Sequence, residues 1–303
     1  MKNYIFALIL LGTFANAQIN RFFYDYSYIP DSNNKQNVKK ELMYLDISAK
    51  GSEYFSRDAF VSDSVQLAKV AEMLKGTAMQ ASAGGRTKAF MMGGTENKNR
   101  VVKEYPGFTT YLLTSIGGDN YKVKEDRKIE WKILPDKQKI GDYNTQKATT
   151  SFGGREWTAW FTTELPFQDG PYKFCGLPGL IVKIEDATGS HRMILAGNKK
   201  VAAPQNRPQA NDTPSAQVLK LMDPGEKRIE LTNAQFRKAW KDYANDPAKN
   251  MKQMLANSGA GGNTKIIMNG SNASQAEVLR MIEKSQKEEM AKDNNQIELD
   301  LYR

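Results

Sequence analysis

Between residues 98 and 134 the chain repeats one pattern, a short run rich in β-branched and aromatic residues followed by a cluster of turn formers. The runs are Lys98 to Tyr105, Thr109 to Ser115, Tyr121 to Glu125 and Lys128 to Leu134. The breaks are Pro106-Gly107, Gly117-Gly118-Asp119-Asn120 and Asp126-Arg127. Turn signals roughly 8 to 12 residues apart specify an antiparallel meander. The pattern extends both ways. Upstream, Arg21 to Ile29 sets Tyr24, Tyr26 and Tyr28 on one face of a strand that Pro30 to Asn34 closes, and Lys40 to Ile47 and Glu53 to Phe60 follow. Downstream, a Pro135-Asp136 turn and a break at Gly141 precede Thr145 to Phe152 and Arg155 to Leu165. Leu180 to Glu185 and His191 to Ala196 then form a hairpin through residues 186–190. The expectation is a mainly β fold, a curved antiparallel sheet or barrel-like domain over residues 18–200.

The flanks read differently. Lys2, the apolar run Tyr4 to Leu11 and the small-residue box Ala15-Asn16-Ala17 have the layout of a secretory signal peptide, residues 1–17, removed before Gln18. The apolar run is well short of the ~20 residues that span a bilayer, and no later stretch reaches that length, so no transmembrane segment is expected in the mature chain. Asp63 to Gly76 carries a helical stripe at 67, 70, 71 and 74, and a Gly- and Ala-rich loop from Thr77 to Gly85 follows. Residues 201–231 form a linker with three prolines between Ala202 and Pro214. A C-terminal helical extension, residues 232–303, holds two helices opening on the capping boxes Thr232-Asn233-Ala234-Gln235 and Ser274-Gln275-Ala276-Glu277, separated by a Gly-rich linker at 258–262.

Chemically the chain is sparse. Its 303 residues include one His and one Cys, which excludes an internal disulfide and the common zinc ligand sets, so neither metal nor cofactor is expected. The net charge of +9 comes from Lys and Arg scattered along the chain, with no basic cluster or motif for nucleic acid, and no nucleic-acid partner is expected.

Residues 155–186 are the most informative segment. Trp157, Trp160, Phe161, Tyr172 and Phe174 lie in a stretch punctuated by Pro166, Pro171 and Pro178, with Gly170, Gly176 and Gly179 between them. Prolines fix the backbone and glycines permit unusual turns, which specifies an ordered aromatic loop. These five aromatics are the candidate ligand-binding surface, weighed against plain core. Cys175 and His191 are weighed as a nucleophile and base, against a buried thiol and a surface imidazole beside Arg192. Glu164 and Asp169 are weighed as an acid-base pair, against loop carboxylates that cap turns, with Glu156 and Asp142 no better distinguished.

Within this segment, Gly176-Leu177-Pro178-Gly179-Leu180-Ile181 follows Gly170-Pro171-Tyr172-Lys173-Phe174. The chain resembles the GLPGLI family of secreted proteins, found mainly in the Bacteroidetes and named for that hexapeptide. The resemblance runs to about Ala196 and implies a secreted or periplasmic, β-rich protein whose biochemical role is not established. No catalytic residue carries over. On the residues themselves, the hexapeptide reads as a structural turn, with Leu177, Leu180 and Ile181 in the core. A fainter similarity, to the bowl-like N-terminal domain of a flavobacterial type II peptide N-glycosidase, implies a curved sheet with a concave face and an accessory role. The resulting expectation is an exported, non-enzymatic protein that binds a ligand or cell-envelope partner through a concave aromatic face. The alternative is an extracytoplasmic hydrolase using the loop carboxylates.

Overall fold

A computed structural model describes residues 18–62, 65, 99–202, 228–257, 266–268 and 271–303. The signal peptide, nearly all of the 63–76 helix, the 77–85 loop, most of the proline-bearing linker and the 258–262 linker lie outside the described residues.

The fold is mainly β. Twelve strands make one sheet: β1 (Gln18–Tyr28), β2 (Lys39–Ser48), β3 (Gly51–Ser56), β4 (Arg100–Glu104), β5 (Thr109–Ile116), β6 (Asp119–Lys124), β7 (Lys132–Ile140), β8 (Tyr143–Phe152), β9 (Arg155–Thr162), β10 (Leu180–Asp186), β11 (His191–Ala202) and β12 (Ile229–Thr232). Their order is β12-β6-β5-β4-β3-β2-β1-β11-β10-β9-β8-β7. Two meanders, β1 to β6 and β7 to β11, join where β1 pairs antiparallel with β11. The end strands β7 and β12 do not pair with each other, so the sheet is open rather than a closed barrel. Only β12, running beside β6, is parallel to its neighbour. Among the described residues three helices follow: α1 (Asn233–Asn245), α2 (Lys249–Asn257) and α3 (Gln275–Lys292). Both expected capping boxes are present, on Thr232 and Ser274.

Two local expectations are corrected. The chain does not turn at Pro135-Asp136 but continues as β7 to Ile140, with the register shifted between Ile133 and Lys137. Proline cannot donate to a sheet ladder, yet β7 has a partner on one side only, where an irregularity accommodates it. The third strand ends at Ser56 and residues 57–62 are helical.

One face of the sheet carries the core. The even positions of β1 (Phe22, Tyr24, Tyr26) align with the odd positions of β2 (Met43, Leu45, Ile47) by antiparallel register. A row Phe22, Leu45, Tyr54, Val101, Leu112 and Val123 crosses from β1 to β6. Trp157, Ala159 and Phe161 of β9 and Met193 of β11 continue the buried surface. Side chains from β1, β4 and β9 all reach the loop at 163–179: Phe22 meets Phe167, Lys103 meets Asp169, and Trp157 meets Phe174. Strands so far apart in one sheet can share one loop only if the sheet curves around it, so the core face is concave.

Candidate functional site

The aromatic loop fills the concave face. Phe174 is wholly buried, with ring centroids 4.8 Å from Trp157, 5.7 Å from Phe152 and 6.2 Å from Trp131. Phe161 and Tyr172 are buried as well. Trp160 is the exception, half-buried on the opposite face with Lys147 over its ring. Four of the five candidate aromatics are therefore buried in the chain's own core. The hexapeptide is the hinge of this arrangement. Gly176 takes a left-handed φ of 92°, and a Cβ on Gly179 would sit 2.1 Å from the Thr162 carbonyl oxygen, so the backbone passes where no side chain fits. Leu177, Leu180 and Ile181 are buried, as expected of core.

The candidate chemical groups do not converge. Asp169 is buried in an ion pair with Lys103 and also accepts from the Tyr105 hydroxyl and, at 2.6 Å, from the Gly170 amide. Glu164 is exposed and accepts two hydrogen bonds from Asn144 at 3.0 Å. Glu156 takes a bond from Ser151, and Asp142 is exposed. Burial pushes the Cys175 thiol above its ordinary value, against the nearby Lys103 cation.

His191 is not the surface residue expected. It is buried, with Nε2 at 2.9 Å from the Asn295 carbonyl oxygen and Nδ1 at 2.7 Å from the Tyr26 hydroxyl. A carbonyl only accepts, so Nε2 carries the proton and bare Nδ1 accepts from Tyr26. Burial, with Arg155 beside it, lowers its pKa to about 4, so the ring is neutral near pH 7. Both nitrogens are used, and Cys175 is partner to neither.

Sequence patterning gave no sign of the 293–303 segment, which enters the concave face alongside the loop. Asn295 donates to the Ile29 carbonyl at 2.7 Å and accepts from Arg155 at 2.6 Å, and Arg155 also pairs with Asp186 at 3.0 Å. Glu298, fully buried, meets Lys173 at 2.7 Å, the Tyr172 hydroxyl and Arg127. Glu125 ties Lys173 and Arg127 together, each at 2.7 Å. Leu301 is buried, and Tyr302 packs edge-on against Phe236 and Trp240 of α1. The alternation of Ile297, Leu299 and Leu301 with Glu298 and Asp300 would have pointed the wrong way, because the buried positions are Asn295, Glu298 and Leu301.

Where this segment and α3 meet the strands, a cavity of about 380 Å³ remains. Tyr26, Met43, Tyr54 and Met193 form its inner wall, with Tyr28 stacked on Tyr26 at 4.8 Å. Lys39, Lys292, Glu289 and Asp293 stand at its rim. The buried Tyr54 hydroxyl has no hydrogen-bond partner. A cavity of this size, lined by aromatic and thioether side chains together with many polar groups, falls within the range of small-molecule sites. Among the described residues no group of three or more His, Cys, Asp or Glu is placed to hold a metal ion, and no helix is long and apolar enough to cross a membrane.

A family model described as "Protein of unknown function (Porph_ging)" matches residues 152–183. That stretch runs from the end of β8 through the aromatic loop into β10 and includes the Gly176 to Ile181 hexapeptide. No curated protein matches the chain. Among solved structures, PNGF-II in its C2 crystal form is 14% identical with a TM-score of 0.42, covering 71% of this chain and 31% of that one. Its P21 form gives 15% identity and 0.43, covering 73% and 33%. The chain thus spans about a third of the length of the PNGF-II chain.

Proposed function

We propose that this is an exported protein of the GLPGLI kind, cleaved after Ala17, that binds a small ligand, free or displayed by an envelope partner, without turning it over. One observation carries the reading: a cavity of about 380 Å³ bounded by the concave-face residues Tyr26, Tyr28, Met43 and Tyr54. Binding rather than turnover is supported by the state of the reactive groups, since His191 and Asp169 are committed to internal bonds and the Cys175 thiol is held protonated by burial. Export is supported by the layout of residues 1–17.

Two measurements test this. Mass spectrometry of the protein recovered from periplasm or medium is expected to find Gln18 at the N-terminus, and a cytoplasmic chain retaining Met1 would refute export. In protein labelled with ¹³C at the methionine methyls, a ligand screen is expected to shift the signals of Met43 and Met193. A screen that produces turnover, or leaves both signals fixed for every compound, would refute the binding reading.

A further inference from the structure

Resting on the reading of the cavity as a binding site, we infer that it takes a small zwitterion, with an ammonium and a carboxylate a few atoms apart, the class of free amino acids and betaines. The hydrogen-bonding groups of the inner wall are already engaged. His191 has both nitrogens occupied, one of them by the Tyr26 hydroxyl. The Tyr172 hydroxyl donates to Glu298, the Asn295 amide is bonded to Ile29 and Arg155, and the Tyr54 hydroxyl lies beneath the surface. Asn99 accepts from Thr114 at 2.7 Å. What this wall offers is tyrosine rings, with Tyr28, Tyr26 and the neutral imidazole in one stack, and the thioethers of Met43 and Met193.

The mouth is charged. Glu289 and Lys292 lie in the last turn of α3 and Asp293 caps its end, and none of the three forms an ion pair among the described residues. Glu289 and Asp293 stand one turn apart at the carbonyl end of the helix, where the backbone dipole is negative as well. Their sign is felt at the wall: burial raises the Tyr26 hydroxyl well above its ordinary value, and the anionic Glu41 and Asp293 add to that against Arg155. A tyrosine ring attracts an ammonium through its quadrupole. Lys39 and Lys292 determine the other half of the ligand. With two charges of each sign at the mouth, a ligand of net charge is attracted by one pair and repelled by the other. A zwitterion meets both, its ammonium toward the tyrosines, Glu289 and Asp293 and its carboxylate toward the lysines. The amides of Asn37 and Gln296 bond equally well to a carboxylate or to a sugar and do not decide between them. The four charges do, because full charges gain more from them than hydroxyl dipoles. A volume of about 380 Å³ is at the low end of ligand sites and suits a molecule of amino-acid size.

The probes are glycine betaine, its carbon isostere 3,3-dimethylbutanoate, choline and maltose, titrated into the full mature chain at neutral pH and low ionic strength, with the methionine methyls reporting location. Betaine and dimethylbutanoate share shape and carboxylate and differ in the ammonium charge alone. Betaine is expected to move the Met43 and Met193 signals and to bind roughly tenfold more tightly than dimethylbutanoate, the scale of a cation held on aromatic rings. It is expected to exceed choline by about threefold, the scale of a partly exposed ion pair, and added salt is expected to erode that advantage. Asp293 and Lys292 are exposed and their side chains make no hydrogen bond or ion pair among the described residues. Asp293→Asn is therefore expected to shrink the first preference and Lys292→Gln the second, with little change in melting temperature. Equal affinity for betaine and dimethylbutanoate overturns the ammonium assignment, and equal affinity for betaine and choline overturns the carboxylate assignment. Preferences that survive both substitutions take recognition away from the end of α3 and overturn the site. Maltose moving the methyls while the three charged probes do not overturns the zwitterion class and leaves the cavity a binding site. All four probes leaving the methyls fixed overturns the class as well, and a blank wider screen then removes the binding reading beneath it.

Discussion

Gly179 and Gly176 are constrained for different reasons, and their alanine variants separate the two. At Gly179 an added methyl meets backbone, the Thr162 carbonyl oxygen at 2.1 Å, and neither side can rotate away. At Gly176 nothing lies within 4 Å, and the cost is only that of a left-handed φ on an L-residue, about 1 kcal/mol. Gly179→Ala is expected to lose about 1–3 kcal/mol or more, the scale of overpacking, and to exceed Gly176→Ala in urea denaturation. Equal losses would mean that the strand entry is softer than the geometry implies. His191 makes a prediction about pH. Its folded value of about 4 lies below the 6.5 of an unfolded chain, so the unfolded state binds the proton more readily in between. Stability is therefore full above pH 6.5 and falls as the pH drops toward 4, by about 3 kcal/mol if unfolding is two-state. His191→Gln is expected to flatten that slope. Glu125 acts lower: burial would raise it, but Arg127 and Lys173 outweigh burial and hold it at about 2, so its contribution is lost between pH 4.5 and 2.

Strands of the concave face were legible because alternation reports which side of a strand is buried, and β1 with Tyr24 and Tyr26 obeys it. Pro135 misled because a turn former and an edge-strand irregularity look alike in one dimension. The short β12 and α2 had too few residues to declare a period. The aromatic loop was visible as an ordered element, but what orders it was not. Lys103 and Asp169 are 66 residues apart, and no local pattern couples a buried cation on β4 to a loop carboxylate. The pair gives a test at this scale. Asp169→Ala strands Lys103 in the core and is expected to cost about 3–5 kcal/mol, whereas Lys103→Met with Asp169→Leu removes both charges and is expected to recover most of it. A double variant as unstable as the single one would show that the loop is held by shape and not by the pair.

At the scale of the molecule, the sequence divided the chain into a β domain and a helical extension because composition changes after Val201, yet charge complementarity across long separations leaves no mark on composition. Asn295 bonds to Ile29, 266 residues away, and Glu298 reaches Arg127 and Tyr172 across 171 and 126 residues. The cluster holds three carboxylates, Glu125, Glu298 and Asp300, against two cations, Arg127 and Lys173. With anions in excess, the sign decides which substitution hurts. Lys173→Met leaves Glu298 and Glu125 sharing Arg127 alone and is expected to cost about 3–5 kcal/mol, while Glu298→Gln relieves the excess, keeps hydrogen-bonding atoms in place and is expected to cost less. Because these bonds close the concave face from inside, the 293–303 segment cannot leave without uncovering Lys173, Arg155 and His191 together. Opening there should require opening the sheet. Native-state hydrogen exchange is the measurement: the amide of Asn295, bonded to the Pro30 carbonyl at 2.9 Å, is expected to exchange with the same free energy as the core amides of β1 and β2. Exchange at Asn295 several kcal/mol easier than in β1 would instead make the segment a separately opening flap, and the cavity it borders would then be gated rather than preformed.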